Sequence, residues 1–396
     1  MPKLPAATRS GDWEEVELGY DEERAVAEAS RCLHCGVCVD CYACVDACQF
    51  HAIDHSQRDE DLELEVGQIL VSTGYDLFDP RRMGQYGYGK LPNVITSLEF
   101  ERLLSATGPT GGKIRLEDGR EPRAVAIVHC VGSRDENYNR YCSRVCCMYA
   151  LKFAHLVKDR TTAEVYQFYI DMRAFGKGYE EFYTRILEED VNVIRGKVAE
   201  VVESPHTDSE QQFLIVRAED TLVGKFREVP VDMVILCCAL EPARGTEDLR
   251  HLLNLSQSPD GYLLERHPKL DPTGTFNEGI YIAGCAQGPK DIPDTVAQAS
   301  GAASHMLGLI AKGELEVDPV KAMVIEGQCS GCRTCNALCP YNAIVWHEDK
   351  QVAEVLDALC KGCGTCVAAC PTGAIQGRGF TDDQIYAEIE GILTSP

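Results

Sequence analysis

A doubled cysteine spacing near the C-terminus constrains this chain more than any other feature. Cys329, Cys332, Cys335 and Cys339 run into Pro340, and 31 residues on Cys360, Cys363, Cys366 and Cys370 run into Pro371, so CxxCxxCxxxCP occurs twice. An Ala-Ile pair trails each run at the same offset, Ala343-Ile344 and Ala374-Ile375. In such a run three thiolates close a tight loop around one 4Fe-4S cube, while the fourth, carried on a short helix, ligates the other cube. One cluster is therefore expected on Cys329, Cys332, Cys335 and Cys370, and a second on Cys360, Cys363, Cys366 and Cys339. Zinc is the competing ion. Its sites usually rest on two CxxC pairs, and a doubled four-cysteine run exceeds that need.

Composition bounds the rest. A chain of 396 residues, 45% hydrophobic, has the length for two or three domains with buried cores. The formal net charge of 24 negative argues against a partner bound through its phosphates, so no nucleic acid is expected. Twenty-one cysteines behind an N-terminus without an apolar leader point to a reducing, cytoplasmic setting, with the thiols serving metal rather than disulfides. No run approaches 18 apolar residues, so no direct membrane insertion is expected and any membrane contact goes through a separate polypeptide.

Three segments follow from this reading: an arm, helix and cysteine-rich stretch over 1–60, an α/β core over 61–315 with an inserted cluster-bearing domain at about 120–230, and a ferredoxin domain over 316–396. The first begins with a polar arm and a helix over Asp21 to Arg31, and then brings Cys32, Cys35, Cys38, Cys41, Cys44 and Cys48 close together. Its last four repeat the half-ferredoxin spacing, and Ala52-Ile53 follow at the familiar offset, but Gln49 replaces the proline and no second half follows. Six thiols fill one cube with two to spare, or two cubes with help from other residues; a zinc knuckle is the alternative. His34, His51 and His55 read as surface or helix-end residues.

In the core, Leu62 to Thr73 reads as a strand pair and Ser97 to Leu104 as a helix. Ala124 to His129 reads as a buried strand and Ser143 to Lys158 as a helix. A nucleotide site would place a glycine-rich turn between that strand and helix. The turn instead holds one glycine, Gly132, and four cysteines, Cys130, Cys142, Cys146 and Cys147, which suit a further cluster better than a dinucleotide. Buried structural thiols are the plainer alternative. Val165 to Ile170 and Val231 to Cys237 read as strands, Tyr179 to Glu189 as a helix, and Val191 to Val202 with Leu214 to Val223 as antiparallel strands. Gly279 to Gly284 reads as a parallel strand ahead of a helix over Asp294 to Leu309. Cys237 and Cys238 read as structural thiols, and Cys285 shows no ligand spacing.

From about residue 20 onward the chain resembles the A-subunit family of heterodisulfide reductases. The resemblance is carried by VGQILVSTGYDLFDP, HCVGSRD with YCSRVCCMYALK, DMRAFGKGYEEFY, GIYIAGCAQGPKDIPDTVAQASGAA and the doubled cysteine run. It implies a partial thioredoxin-reductase-like flavoprotein core, with Cys130, Cys142, Cys146 and Cys147 ligating a cluster, and an appended ferredoxin. The N-terminal group also resembles the iron-sulfur segment of glutamate synthase small-subunit-like proteins. The family's GxGxxG turn for the pyrophosphate of FAD is absent from this sequence. What remains is the part expected beside the isoalloxazine and ribityl chain, namely Thr73, Gly74, Gly284 and Thr295, with Cys285 where flavoproteins of this fold commonly place aspartate. The resemblance thus implies three or four clusters, with cysteines enough for a fifth. FAD is implied either weakly bound, shared with a partner polypeptide, or lost. The expected role is an electron-transfer subunit of an anaerobic oxidoreductase complex, with other redox subunits as partners and flavin-based bifurcation open to it. No catalytic side-chain constellation is expected. A self-sufficient NAD(P)H-dependent flavin oxidoreductase and a structural iron-sulfur adaptor are the competing roles.

Overall fold

The computed structural model describes residues 18–30, 48–106, 108–204, 213–314 and 319–394, together with Leu4 and Val45. In chain order they form helix α1 (Glu22–Ser30), strands β1 (Ile69–Val71), β2 (Tyr75–Leu77) and β3 (Val94–Thr96), and helix α2 (Ser97–Leu104). Strand β4 (Ala124–Val131), helix α3 (Cys146–Arg160), strand β5 (Glu164–Tyr169) and helix α4 (Tyr179–Glu188) follow. Then come strands β6 (Val191–Arg195), β7 (Val198–Glu203), β8 (Leu214–Asp220), β9 (Lys225–Val231), β10 (Met233–Cys238) and β11 (Leu240–Pro242), and helix α5 (Thr246–Leu253). The last part holds β12 (Ile280–Ile282), α6 (Ile292–Lys312), β13 (Ala322–Val324), α7 (Thr334–Leu338), β14 (Ile344–His347), β15 (Val352–Val355), α8 (Thr365–Ala369), β16 (Ile375–Gly377) and α9 (Asp382–Thr394). The chain divides into two compact units, Met1–Glu63 with Leu77–Ala239, and Leu64–Asp76 with Leu240–Pro396.

The first unit is built on a five-stranded parallel sheet in the order β3-β10-β4-β5-β6. Side chains alternate along β4: Val125 and Ile127 pack with Ala150, Leu151 and Ala154 of α3, while Ala126 and Val128 pack on the opposite face with Val216 and Val231. Both faces are covered, which is why β4 and β10 read as unbroken apolar runs. Helix α2 starts at a capping box, where Thr96 Oγ1 accepts from Glu99 N and Glu99 Oε2 accepts from Thr96 N. The expectation for Val191 to Val202 is corrected. Val191–Arg195 joins the parallel sheet, and only after Gly196 does the chain enter the antiparallel meander β7-β8-β9. A Cβ on Gly196 would meet Glu219 O at 1.9 Å, so that glycine marks the break.

The second unit has two small cores. In one, β1 and β12 pair in parallel over Val71, Leu255, Leu263, Ile282 and Ala286. The strand pair expected over Leu62 to Thr73 reduces to β1 alone, because Leu64 and Val66, though they alternate with glutamates, find no strand to pair with and stay exposed. The other core belongs to residues 319–394, where the antiparallel ribbons β13-β16 and β14-β15 enclose Ala322, Ile344, Ala353 and Ile375 with Cys335, Cys360 and Cys366.

Candidate metal centres

Within 319–394 the two cysteine runs adopt matching local conformations. Gly331 and Gly362 take φ of +72° and +63°, and the positions before the short helices α7 and α8, Arg333 and Gly364, take +58° and +75°. These left-handed residues turn the loop so that successive thiols face inward. Thr334 and Thr365 then sit at equivalent places: the Thr334 hydroxyl lowers the Cys332 thiol and the Thr365 hydroxyl lowers that of Cys363. The recurring Ala-Ile pair acquires a physical meaning as well. Ala343 N donates to Cys339 Sγ at 3.3 Å, and Ala52 N donates to Cys48 Sγ at 3.4 Å. Burial works against ionisation of Cys370, yet the Thr372 hydroxyl and the amides of Thr372, Ile375 and Ala374 hold its thiol below the ordinary value.

The runs cross over. Cys329, Cys332 and Cys335 line one cavity together with Cys370 from the other run, beside Trp346 and Ile375. Burial raises the Cys366 thiol, and Cys360, Cys363 and Cys339 raise it further by Coulombic repulsion, so the second quartet is gathered too. The thiols so gathered are Cys329, Cys332, Cys335 and Cys370 in one place and Cys360, Cys363, Cys366 and Cys339 in the other. Trp346 Nε1 is buried without a hydrogen-bond partner, a donor beside the cavity that the first four of these cysteines line. The chemistry of this donor set fits iron-sulfur cubes, with thiolates at the corners and N–H groups directed to sulfur. Lys321, buried at 4% exposure, donates from Nζ to Cys360 O at 2.5 Å and sets a positive charge by the second quartet. No spacing in the sequence marks this lysine.

The mid-chain cysteines gather where β4 ends and α3 begins. Cys130, the penultimate residue of β4, is held at φ +59°. Cys146 and Cys147 open α3, whose N-terminus has no side-chain cap, so its positive dipole end faces the thiols. The Cys146 thiol donates to its neighbours, which pushes Cys130 and Cys147 down and leaves buried Cys146 well above the ordinary range. Cys142 lies close by, with Cys130 and Cys142 both within Coulombic range of Arg134. Three buried polar atoms around this group have no hydrogen-bond partner: His129 Nδ1, Ser133 Oγ and Arg134 Nη1. Arg134 is otherwise fixed by Asp171, whose Oδ2 lies 2.6 Å from Nη2. His129 is oriented by Gln167, whose Oε1 lies 3.2 Å from Nε2 while its own Nε2 donates to Ala150 O. The unpaired O–H of Ser133 and N–H of Arg134, buried next to Cys130 in the chain, fit a group rich in sulfide acceptors. His129, Ser133 and Arg134 were not singled out from sequence, although they flank Cys130 in the HCVGSRD stretch. Cys237, set aside as a structural thiol, is fully buried and lies within Coulombic range of Cys130 and Cys147.

The turn that takes the place of a phosphate loop is filled. A Cβ on Gly132 would come within 2.3 Å of the Phe78 ring, which is itself packed edge-on against Tyr138 and lies under the Arg82 guanidinium. Gly132 therefore serves aromatic packing.

Cys32, Cys35, Cys38, Cys41 and Cys44, with His34, lie outside the described residues; Cys48 is described, and its thiol is lowered first by the Ala52 amide. In the second unit, Thr73 and Gly74 follow β1 while Gly284 and Cys285 follow β12, so the parallel pairing brings these loops side by side, where Ala283 N donates to Val71 O. Thr295 packs at 3.4 Å from the Cβ position of Gly284, and Gln298, which the sequence did not flag, accepts from Gly284 N at 2.8 Å. Cys285 Sγ lies 3.7 Å from Lys290 O. Carboxyl ends of parallel strands are where α/β sheets take their ligands. These five residues lie at one end of the β1–β12 pair, and no glycine-rich turn suited to a pyrophosphate accompanies them among the described residues. Among the described residues no three His, Cys, Asp or Glu side chains are gathered as for a single metal ion, and no helix is long and apolar enough to cross a membrane.

Comparison with known proteins agrees with this geometry. Residues 328–374 match the 4Fe-4S dicluster domain family. The chain is similar to the A-subunit of the H(2):CoB-CoM heterodisulfide,ferredoxin reductase of Methanothermobacter marburgensis, 51% identical over 91% of this chain and 54% of that protein. It is also similar to the A-subunit of the Ferredoxin/F(420)H(2)-dependent CoB-CoM heterodisulfide reductase of Methanosarcina acetivorans, 45% identical over 78% of this chain and 38% of that one. The chain thus spans about half the length of the curated relatives it matches. Among solved structures, a T. acidophilum thioredoxin reductase overlaps 62% of this chain and 66% of its own at 15% identity and a TM-score of 0.38.

Proposed function

Because the chain belongs to the A-subunit family of heterodisulfide reductases, we propose that it is the cluster-bearing electron-transfer portion of a heterodisulfide-reductase-like oxidoreductase complex, relaying single electrons between partner subunits. The observation that carries this reading is the crossed cavity, in which Cys370 completes a quartet begun by Cys329, Cys332 and Cys335. When bound, 4Fe-4S clusters supply one-electron carriers whose potentials respond to charge, burial and hydrogen bonding. Cys360, Cys363, Cys366 and Cys339 hold the second cube, and Cys130, Cys142, Cys146 and Cys147 the third. Cys32, Cys35, Cys38, Cys41, Cys44 and Cys48 supply at least one more. Arg134, Ser133 and Trp346 present donors toward these groups, and Lys321 places a buried cation near one of them. Both effects favour the more negative, reduced state.

Thr73, Gly74, Gly284, Cys285 and Thr295 are assigned to the ring side of an FAD whose phosphates a partner would hold, and the complex to the cytoplasm, where thiols stay reduced. A self-sufficient NAD(P)H oxidoreductase is disfavoured because Phe78 fills the space under Gly132. The test is an anaerobic redox titration of the purified chain followed by low-temperature EPR. The relay predicts signals that come and go reversibly with potential. Clusters that never cycle would make the chain an adaptor stapled by iron, and bleaching by NAD(P)H alone would restore the flavin oxidoreductase.

A further inference from the structure

The two halves of residues 319–394 repeat at an offset of 31 residues, and the repeat extends beyond the cysteines to the strands. Carried forward by that offset, β13 falls on β15, α7 on α8 and β14 on β16. The ladders agree residue by residue. Ala322 pairs with Gly377 as Ala353 pairs with Trp346, and Val324 pairs with Ile375 as Val355 pairs with Ile344. Val320 O lies against the Cβ position of Gly362, and Gln351 O lies against that of Gly331. Each thiol loop therefore meets the same backbone from the opposite half, and what distinguishes the two quartets is side chains.

The largest difference is buried. Lys321 is 4% exposed, its Nζ donates to Cys360 O at 2.5 Å, and the next amide, Ala322 N, donates to Cys360 Sγ at 3.4 Å. The offset carries Lys321 onto Val352, which is also buried, so where the Cys360 quartet has an ammonium the Cys329 quartet has an isopropyl group. Lys361, its side chain 19% exposed, sets a second cation next to Cys360 and lies 3.8 Å from Glu278; its counterpart next to Cys329 is Ser330. Two polar neighbours favour the Cys329 quartet. Arg333 is one, but it is 54% exposed, screened by water and paired with Glu348. Trp346 Nε1 is the other, a neutral donor with about half the strength of a charged one. The deeper burial of Cys360 opposes added negative charge at its quartet, and a buried cation is what offsets that cost. A unit charge within about 10 Å, at an effective dielectric of about 20, changes an equilibrium by about tenfold or more. The charge therefore outweighs the neutral donor and the difference in burial.

We propose that Lys321 ranks the two cubes of this segment: the one on Cys360, Cys363, Cys366 and Cys339 has the higher potential, and a single electron shared between them rests there. The exchange balances within the pair, since the cube on Cys329, Cys332, Cys335 and Cys370 is oxidised by one electron as its neighbour is reduced by one, and no proton or co-reactant takes part. Two sites built on one backbone plan thus become a polarised pair, in which transfer toward Cys360 is favoured and return is not. Lys321 is a positioning residue here, acting on the cube through Cys360. The inference rests on the relay reading above and adds an order to it.

The test is an anaerobic redox titration of the full chain by low-temperature EPR in two backgrounds, Cys370→Ala, which keeps the cube beside Lys321, and Cys339→Ala, which keeps the other. Clusters common to both backgrounds cancel in the difference. The expected result is a higher midpoint in the first background by at least a tenfold ratio, about 59 mV for one electron. Lys321→Met should remove most of that difference by lowering the midpoint in the Cys370→Ala background, and should leave the midpoint in the Cys339→Ala background where it was. A lysine that only supports the fold would not act on one cube alone. Should a cysteine variant fail to fold, the parent chain still answers. Cubes ranked in this way pass through a half-reduced stage whose signal lacks the splitting that two neighbouring reduced cubes impose, and Lys321→Gln should abolish that stage. Equal midpoints, the reverse order, or a Lys321 substitution that shifts both cubes alike overturns the proposal and leaves the relay standing, because the clusters still cycle. Clusters that never cycle overturn both, so the two failures are told apart by whether any signal responds to potential.

Discussion

Arg134 brings a charge to the mid-chain cysteines while one of its own nitrogens goes without a partner, and its consequence is electrostatic. Removing a cation and an N–H donor from beside a cluster disfavours the extra electron, so Arg134→Ala should lower that cluster's midpoint by tens of millivolts, on the order expected for changes in charge and sulfur hydrogen bonding. Redox titration of the variant reads the shift, and an unmoved midpoint would place the guanidinium elsewhere in solution. Cys370 supports a sharper expectation. It belongs to the second run in sequence and to the first quartet in space, so Cys370→Ala should remove the cube held by Cys329, Cys332 and Cys335 and spare the one at Cys360, Cys363 and Cys366. Iron should fall by about four per chain. Loss of both cubes, or of the second alone, would contradict the crossing.

At the scale of elements, glycines decide how the thiol loops close. Gly362 stands at φ +63° with Val320 O 2.3 Å from its Cβ position, and Gly132 stands at φ +80° against Phe78. Each Ala substitution combines left-handed strain with overpacking, and about 1–3 kcal/mol of destabilisation is expected for either. Thermal unfolding measures it, and a neutral Gly132→Ala would mean that Phe78 moves freely out of the turn. The elements also show what could be read without coordinates. The apolar run Ala124 to His129, the helix from Ser97 to Leu104 and the doubled run were legible because each is local. The division at Gly196 was not, since Val191–Arg195 has the same alternation whether its neighbour is parallel β5 or an antiparallel return, and only tertiary packing chooses. LELEV over 62–66 misled for the converse reason: a β pattern becomes a strand only when it has an edge to join. Likewise Lys321 and the unpaired polar atoms of His129, Ser133 and Arg134 gather at the sites through folding, with no spacing to announce them.

For the whole molecule, the small core of residues 319–394 is decisive. Three of its ten buried apolar positions are Cys335, Cys360 and Cys366, so a segment of this size lacks the aliphatic burial that would hold it without metal. Stripping the iron should melt that segment and leave β4 and β5, each buried in the larger sheet, protected in hydrogen exchange. Retained protection across 322–377 after iron removal would show that the ribbons stand unaided. The claim on which the account turns is that the grouped thiols cage iron and sulfide. Its most direct test is the metal and acid-labile sulfide content of the chain purified without oxygen. The account predicts iron and sulfide in equal amounts, about 12 to 16 of each per chain for three or four cubes. Zinc in their place, or thiols left bare after such a preparation, would contradict it.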